Sequence, residues 1–263
     1  MIRVGVMGAC GRMGREICRT VVDDPELELV AAFDREYQGM EIGALIGRQV
    51  EGVLVETDLA KLLDEVQPDV MIDFTVADAM RVNVPQVLKK GIAVVTGTTG
   101  LSAEERAEMG KLAEENNTSM FHAANYAIGA VLMMKFAAEA AKYMPHVEVI
   151  ELHHDKKLDA PSGTAVTTLA KIAENRTAFK QGMADEYEKI EGARGGEYEG
   201  MRVHSVRLPG FVASQEVIFG GLGQTLTIRH DSLSRESFMP GIALAAKKVQ
   251  GWKGLVEDLE NIL

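Results

Sequence analysis

The sequence predicts an α/β chain in two parts: a doubly wound parallel sheet covered by helices, and a smaller α+β unit with a mixed, largely antiparallel sheet. Three observations predict it. Short β-rich runs alternate with helical patterns through the first half, as parallel sheets require. In the second half consecutive β-rich runs follow one another across Pro-Gly and Gly-Gly-Leu-Gly turns, the pattern of antiparallel pairing. After residue 235 the pattern becomes helical again.

In order, IRVGVMG reads as a strand, followed by a helix from Arg12 to Asp23 and the strands LELVAAF and VLVE. A helix near 58–66, the strand DVMIDF, a helix near 77–90, the strand IAVV with its GTTG turn, a helix over 102–116 and the strand SMFHAAN complete the first half. A helix over 127–143 opens the second half. The strand HVEVIELHH, a loop, a helix near 162–175 and the strands MRVHSVRL, VASQEVIFG and QTLTIRH follow. Residues 181–200 are charged and glycine-rich without periodicity, and read as an exposed loop with no assigned chemistry. ALAAKKV and LVEDLENIL read as helical. The expected division is 1–126, 127–234 and a C-terminal helical segment, 235–263, that returns to the first part.

At 263 residues the chain can bury two cores without disulfide or metal staples. A formal net charge of -11 opposes binding to phosphate backbones and anionic lipid, so no nucleic acid and no membrane partner is expected. Cys10 and Cys18 form no CxxC pattern, which fits a reducing compartment, and a cytoplasmic location is expected. The apolar run AIGAVLMM stops at Lys135, well short of the roughly 20 residues of a membrane span. The N-terminus enters a strand pattern directly, with no leader expected.

Chemistry first shows in GACGRMG. Gly8, Gly11 and Gly14 follow a strand and open a helix, where absent side chains let backbone N–H groups approach a pyrophosphate. The spacing is GxxGxxG, a departure from GxGxxG, but Asp34 lies twenty residues past Gly14 at a strand end, where Rossmann-type folds place a ribose-binding carboxylate. Arg35, helped by Arg12, can pair with a 2′-phosphate, so both NADH and NADPH are expected to be accepted. Gly97, Thr98 and Thr99 follow the strand IAVV, and Ala123, Ala124, Asn125 and Tyr126 end the next strand pattern; together they describe one sheet edge.

The densest cluster is ELHHDKKLDAPSGTA, residues 151–165. Imidazole exchanges protons near neutral pH, and nearby lysines favour its neutral form. In an extended segment His153 and Lys157 share a face while His154 takes the other, unless the loop bends first. Pro161 stops the strand and Ser162 can cap a helix, so Gly163 and Thr164 offer backbone N–H groups to an anion. Spacing alone equally allows a solvated charged loop and an ordinary helix start. Metal is not expected: His153 and His154 lack a second cluster at ligand spacing, and His122, His146, His204 and His230 are scattered.

Taken together, GACGRMG, IDFT, GTTG, AANYAIG, ELHHDKKLDAPSGTA, HSVRLPG and HDSLSRESFMPG resemble the 4-hydroxy-tetrahydrodipicolinate (dihydrodipicolinate) reductase family of the diaminopimelate route to lysine, over essentially the whole chain. The resemblance implies a dinucleotide-binding domain, a substrate-binding and oligomerisation domain, and a homotetramer. It implies His153 as acid/base and Lys157 as proton donor, with His154, Gly163 and Thr164 binding a cyclic imine that carries two carboxylates. Gly8, Ala9, Cys10, Gly11, Arg12, Met13, Asp34, Arg35, Gly97, Thr98, Thr99, Ala123, Ala124, Asn125 and Tyr126 correspond to cofactor-binding positions; Tyr126 stands where other members carry Phe, as an aromatic near the nicotinamide. Two other readings remain: a two-domain dehydrogenase of semialdehydes or polyols, and a non-catalytic dinucleotide sensor. Neither requires HHxxK followed by PSGT.

Overall fold

Eleven elements fill the first 126 residues: β1 (Ile2–Met7), α1 (Arg12–Asp23), β2 (Leu27–Phe33), α2 (Ile42–Ile46), β3 (Val55–Glu56), α3 (Leu59–Val66), β4 (Val70–Asp73), α4 (Ala77–Lys89), β5 (Ala93–Thr96), α5 (Ala103–Glu115) and β6 (Ser119–His122). Then come α6 (Ile128–Ala141), β7 (His146–His153), α7 (Gly163–Ala173), β8 (Gly196–Tyr198), β9 (Met201–Arg207), β10 (Ala213–Gly221) and β11 (Gln224–Ser232). The chain ends with α8 (Met239–Lys248) and β12 (Gly254–Glu257). The structure is a computed structural model describing residues 1–263. It divides into two units, residues 1–126 with 235–263, and residues 127–234.

The first unit is a Rossmann-like, seven-stranded sheet in the order β12-β6-β5-β4-β1-β2-β3, parallel throughout. β4, β5 and β6 are buried along their whole length, so their sequences VMID, AVVT and SMFH do not alternate as half-exposed strands do. Met71, Met80, Val84, Leu88, Val94 and Met120 form the centre of one apolar cluster. Each such side chain contributes about 2 kcal/mol by leaving water. Two caps set helix starts legibly: Asp58 accepts from the Lys61 N–H at 3.1 Å, and Ser102 and Glu105 form a reciprocal capping box. The strand order reverses direction between β1 and β4, the switch point at which such sheets open a crevice at their C-terminal ends.

The second unit is a five-stranded sheet, β11-β10-β7-β9-β8. Only β7 and β9 run parallel; the other pairs are antiparallel. Along β7 burial alternates, with Val147, Val149 and Glu151 enclosed and Glu148, Ile150 and Leu152 half-exposed. Glu151 thus occupies a core register.

Three expectations need correction. LVEDLENIL is not helical: Gly254–Glu257 forms β12, paired with β6, and Leu259–Ile262 makes only a 3-10 turn. The open edge of β6 offers backbone partners, and that pairing overrides the helical spacing of Leu255, Leu259 and Ile262. The 181–200 segment is not all free loop. Gln181 is buried and makes two hydrogen bonds to the backbone of Val147, Arg194 bridges Glu148 and Glu186, and its end folds as β8. VLVE yields a strand of two residues only, preceded by the short helix α2, which was not anticipated.

Candidate active site

At the switch point, β1 runs into a turn that only a glycine-rich loop can make. Gly8 has φ +74°, and a side chain at Gly14 would place its Cβ 2.0 Å from the Gly8 carbonyl oxygen. The Gly8 and Ala9 N–H groups both donate to the Phe33 carbonyl, at 2.9 and 3.1 Å, and the Gly11 N–H donates to the Gly8 carbonyl at 3.0 Å. α1 then begins at Arg12 behind Gly11, with no side chain capping it. Asp34, at the end of β2, accepts the Cys10 N–H at 2.9 Å. Burial and the Asp34 charge push the Cys10 thiol up to about 11, so it stays protonated and unreactive. Gly8, Gly11, Asp34, Arg35, Phe74 and Thr75 line one cleft of about 480 Å³.

The ends of β4 and β5 are tied together by a carboxylate. Asp73 is fully buried and accepts hydroxyl hydrogen bonds from Thr75, Thr96 and Thr98 at 2.7, 2.9 and 2.7 Å. Burial pushes its carboxyl up, and these three hydroxyls oppose the shift. The Thr98 hydroxyl also accepts the Thr75 N–H at 3.0 Å, so it joins the two loops and does not point freely outward. Gly97 packs on Phe74, where a Cβ would meet the ring at 2.3 Å. Thr99 and Ala124 are exposed, Asn125 is half-buried and Ala123 is buried. The Tyr126 ring is 2% exposed, packs on Phe121 and on Phe74, which lines the cleft, and donates its hydroxyl to the Thr96 carbonyl at 2.7 Å, so it holds the end of β5 from within.

In the second unit β7 ends at His153, and the chain turns at once, the Lys157 N–H donating to the His154 carbonyl at 3.2 Å. The bend, not strand alternation, decides where Lys157 lies. His154 and Lys156 are exposed, whereas Lys157 is half-buried and donates to both Asp159 carboxylate oxygens at 2.8 and 2.9 Å. The Nδ1 of His153 lies 2.5 Å from the Glu151 carboxylate. Burial pulls the His153 pKa below its ordinary value; the Glu151 charge opposes this, and Lys157 and Arg207 add to it. Ser162 caps α7 by accepting the Ala165 N–H at 3.2 Å. Gly163 is exposed, with open space where a Cβ would stand, so an anion can approach this helix start closely.

Two family models cover the chain: "Dihydrodipicolinate reductase, N-terminus" over residues 2–126, and "Dihydrodipicolinate reductase, C-terminus" over residues 129–263. The chain belongs to the dihydrodipicolinate reductase family. Curated relatives named 4-hydroxy-tetrahydrodipicolinate reductase include one from Desulfitobacterium hafniense, 52% identical over 100% of this chain and 98% of its own length. Another, from Listeria innocua, is 52% identical over 100% of both chains. A solved structure of dipicolinate-bound dihydrodipicolinate reductase from Paenisporosarcina sp. TG-14 superposes with a TM-score of 0.90 at 45% identity, covering 100% of each chain. An amine dehydrogenase from Mycobacterium smegmatis, 16% identical with a TM-score of 0.67 over 97% of this chain and 94% of its own, shares the fold.

In this dihydrodipicolinate reductase family member the glycine loop, Asp34 and Arg35 meet in one cleft, while Gly97, Thr98 and Thr99 follow β5, and Ala123 to Tyr126 follow β6, on the same sheet. Arg12 and Met13 open α1, with Arg12 exposed. His153, Lys157, Gly163 and Thr164 sit at the joined ends of β7 and α7. Sequence reasoning passed over Glu151, Arg207 and Asp73. The signal for Glu151 was present: in HVEVIELH it takes the register of Val147 and Val149, a core position that an acid occupies only when paired. Phe74 and Thr75, in the quoted IDFT, and Tyr37, whose ring receives the Arg15 guanidinium at 6.0 Å, were likewise unassigned.

Proposed function

We propose that the chain catalyses the reaction for which its relatives are named: NAD(P)H-dependent reduction of 4-hydroxy-tetrahydrodipicolinate to tetrahydrodipicolinate with loss of water, in diaminopimelate and lysine biosynthesis. The observation that carries this reading is His153. Its Nδ1 is occupied by Glu151, its Nε2 is left for a substrate, and it lies beside Lys157 and an open helix start, in a chain that matches the family over both halves.

The dinucleotide fits the first unit. The close approach of Gly14 to Gly8 keeps the loop backbone bare, and the Asp34 carboxylate and Arg35 guanidinium stand at the cleft where an adenosine ribose is read. Asp34 pairs with a 2′-hydroxyl and Arg35 with a 2′-phosphate, which supports use of both NADH and NADPH. Bound there, the reduced cofactor supplies the hydride. The Asp73 threonine cage holds the loops after β4 and β5 in one arrangement.

The substrate is a six-membered cyclic imine with two carboxylates. Dipicolinate, named as bound in the Paenisporosarcina relative, has the same ring size and carboxylate placement, which supports a dicarboxylate at this site. The backbone N–H groups of Gly163 and Thr164, with His154, hold one carboxylate. The 4-hydroxyl leaves as water, giving a carbon–carbon double bond conjugated with the imine. Hydride adds at one end of that system and electron density accumulates at the other. One proton is then required, and the Lys157 ammonium and His153 Nε2 supply and replace it.

The chain is read as cytoplasmic, consistent with two buried free cysteines and with no helix long and apolar enough to cross a membrane. A homotetramer is implied by the family resemblance alone. Neither nucleic acid nor lipid is a partner in this reading, given the acidic balance. The test follows NAD(P)H absorbance with enzymatically generated 4-hydroxy-tetrahydrodipicolinate, with amino-acid semialdehydes or polyols, and with no addition. Turnover confined to the first supports the assignment. Turnover only on semialdehydes or polyols, or cofactor binding without turnover, would reject it.

A further inference from the structure

His153 is held from behind by a group that the chemistry above never touches. Glu151 lies two residues earlier on β7, so the two side chains share one face of the strand. Its side chain is 0% exposed, where an ionised carboxylate is costly unless hydrogen bonds replace its water. They do. Arg207, on β9, donates Nη1 to Oε2 at 2.9 Å and Nη2 to Oε1 at 2.7 Å, a two-pronged pairing. The Ser162 N–H reaches Oε1 at 3.3 Å, and the His153 Nδ1 lies at 2.5 Å from Oε2. Burial alone raises the Glu151 carboxyl, but hydrogen bonds from Arg207, Ser205 and His153 outweigh it, so the net shift is downward and the group stays ionised. Arg207 is fixed in turn by the Val206 and Asp159 carbonyls, at 2.8 and 2.7 Å.

We propose that Glu151 and Arg207 are a positioning pair: they hold His153 as the Nδ1–H tautomer, reserve Nε2 for the proton that reaches substrate, and set the pH at which Nε2 is charged. The proposal rests on the reading of His153 as the acid/base of this site. An ionised carboxylate only accepts, so the ring nitrogen against it carries a hydrogen, and the lone pair remains on the other nitrogen. Arg207 keeps that direction. Without it a buried carboxyl takes up a proton, can donate to Nδ1, and reverses the tautomer.

The charges facing the ring come from three places. Glu151 on β7 favours the imidazolium, while Arg207 on β9 and Lys157 in the following loop oppose it. α7 contributes the neutral Ser162, and β10 places Ala213 opposite His153. Glu151 is therefore the one acidic group among them, and its removal has a definite sign.

The experiment compares pH profiles of kcat for the wild-type enzyme, Glu151→Gln and His153→Gln, with cofactor affinity measured on each. Glu151→Gln should lower kcat about 100-fold, within the range of general acid–base contributions, and leave the NADH dissociation constant unchanged. Its limb for His153 protonation should move to lower pH, because the charge favouring imidazolium is gone. A role confined to stability would lower the melting temperature and leave the limb in place, and that result overturns the proposal. Because Glu151→Gln removes a buried charge from its partner, a second measurement uses the unmodified enzyme. Nitrogen-15 NMR of the His153 ring near neutral pH should show hydrogen on Nδ1, and hydrogen on Nε2 would overturn the tautomer. His153→Gln separates the two levels. If it loses kcat while the Glu151→Gln limb stays put, only the positioning pair fails; if it retains full kcat, the acid/base reading fails and the pair's catalytic role with it.

Discussion

Gly14→Ala perturbs the cofactor cleft at a point where the structure sets the size of the effect. The new Cβ would lie 2.0 Å from the Gly8 oxygen, 2.7 Å from the Gly8 carbonyl carbon and 2.8 Å from the Ala9 Cα. All three are backbone atoms, so no side-chain rotation relieves the contact. Ordinary contact begins near 3.4 Å, and 3.4 minus 2.0 requires a retreat of about 1.4 Å. The loop resists, since the Gly8 and Ala9 N–H groups are both tied to Phe33. Overpacking of this kind costs about 1–3 kcal/mol of stability. A displacement of roughly 1 Å in a positioning element costs about 100-fold. We therefore expect the NADH dissociation constant to rise about 100-fold, or about 2.8 kcal/mol, read by NADH fluorescence titration on protein shown to be folded by thermal melting. Gly163→Ala is the control, because its Cβ enters open space. It should leave melting and NADH affinity unchanged and raise the KM of the dicarboxylate substrate. A folded Gly14→Ala enzyme that binds NADH as tightly as wild type would refute the reasoning.

Arg35 has a side chain 90% exposed and only a 3.8 Å pairing with Glu36, so it is free to meet a 2′-phosphate; Arg35→Ala should raise the KM for NADPH about 10-fold, roughly one charge-assisted hydrogen-bonded contact, and barely alter that for NADH, and equal losses would count against the role. Ser162→Ala removes the α7 cap and should cost about 1 kcal/mol, or roughly 4 °C in melting temperature for the unit of residues 127–234; an unchanged melt would show the cap to be dispensable. Acid sensitivity follows from three histidines. Burial holds His122, His153 and His230 below 6.5, so between their folded values and 6.5 the unfolded chain binds more protons than the folded one. Stability should therefore fall as pH drops through that window. Carboxyls held low in the fold, such as Glu56 at about 2, add their loss only below their ordinary value of 4.5. Melting curves that stay flat from pH 7 to pH 5 would contradict the histidine contribution.

The parallel sheet was legible because short β-rich runs such as VMID, AVVT and SMFH, buried along their length, alternate with helical patterns. Helix α1 begins and ends where its pattern does. β12 was not legible, since a four-residue strand on an open sheet edge is decided by its partner β6, each paired residue lying 135 positions away in sequence, and its own spacing suits a helix. The site divides in the same way. Gly8, Asp34, His153 and Ser162 announce themselves by local spacing, whereas Glu151 and Arg207 are 56 residues apart and acquire meaning only when β7 and β9 align. The place of Tyr126 after β6 is likewise local, but that its ring turns inward to Thr96 is decided by β5, 30 residues away.

In the proposed function His153, with its Nε2 left open, handles the proton of a reductive step. The most direct measurement is kcat of His153→Gln at saturating NADH and 4-hydroxy-tetrahydrodipicolinate, beside the NADH dissociation constant of the same protein. The kcat should fall about 100-fold or more with cofactor binding intact. A wild-type kcat would contradict it.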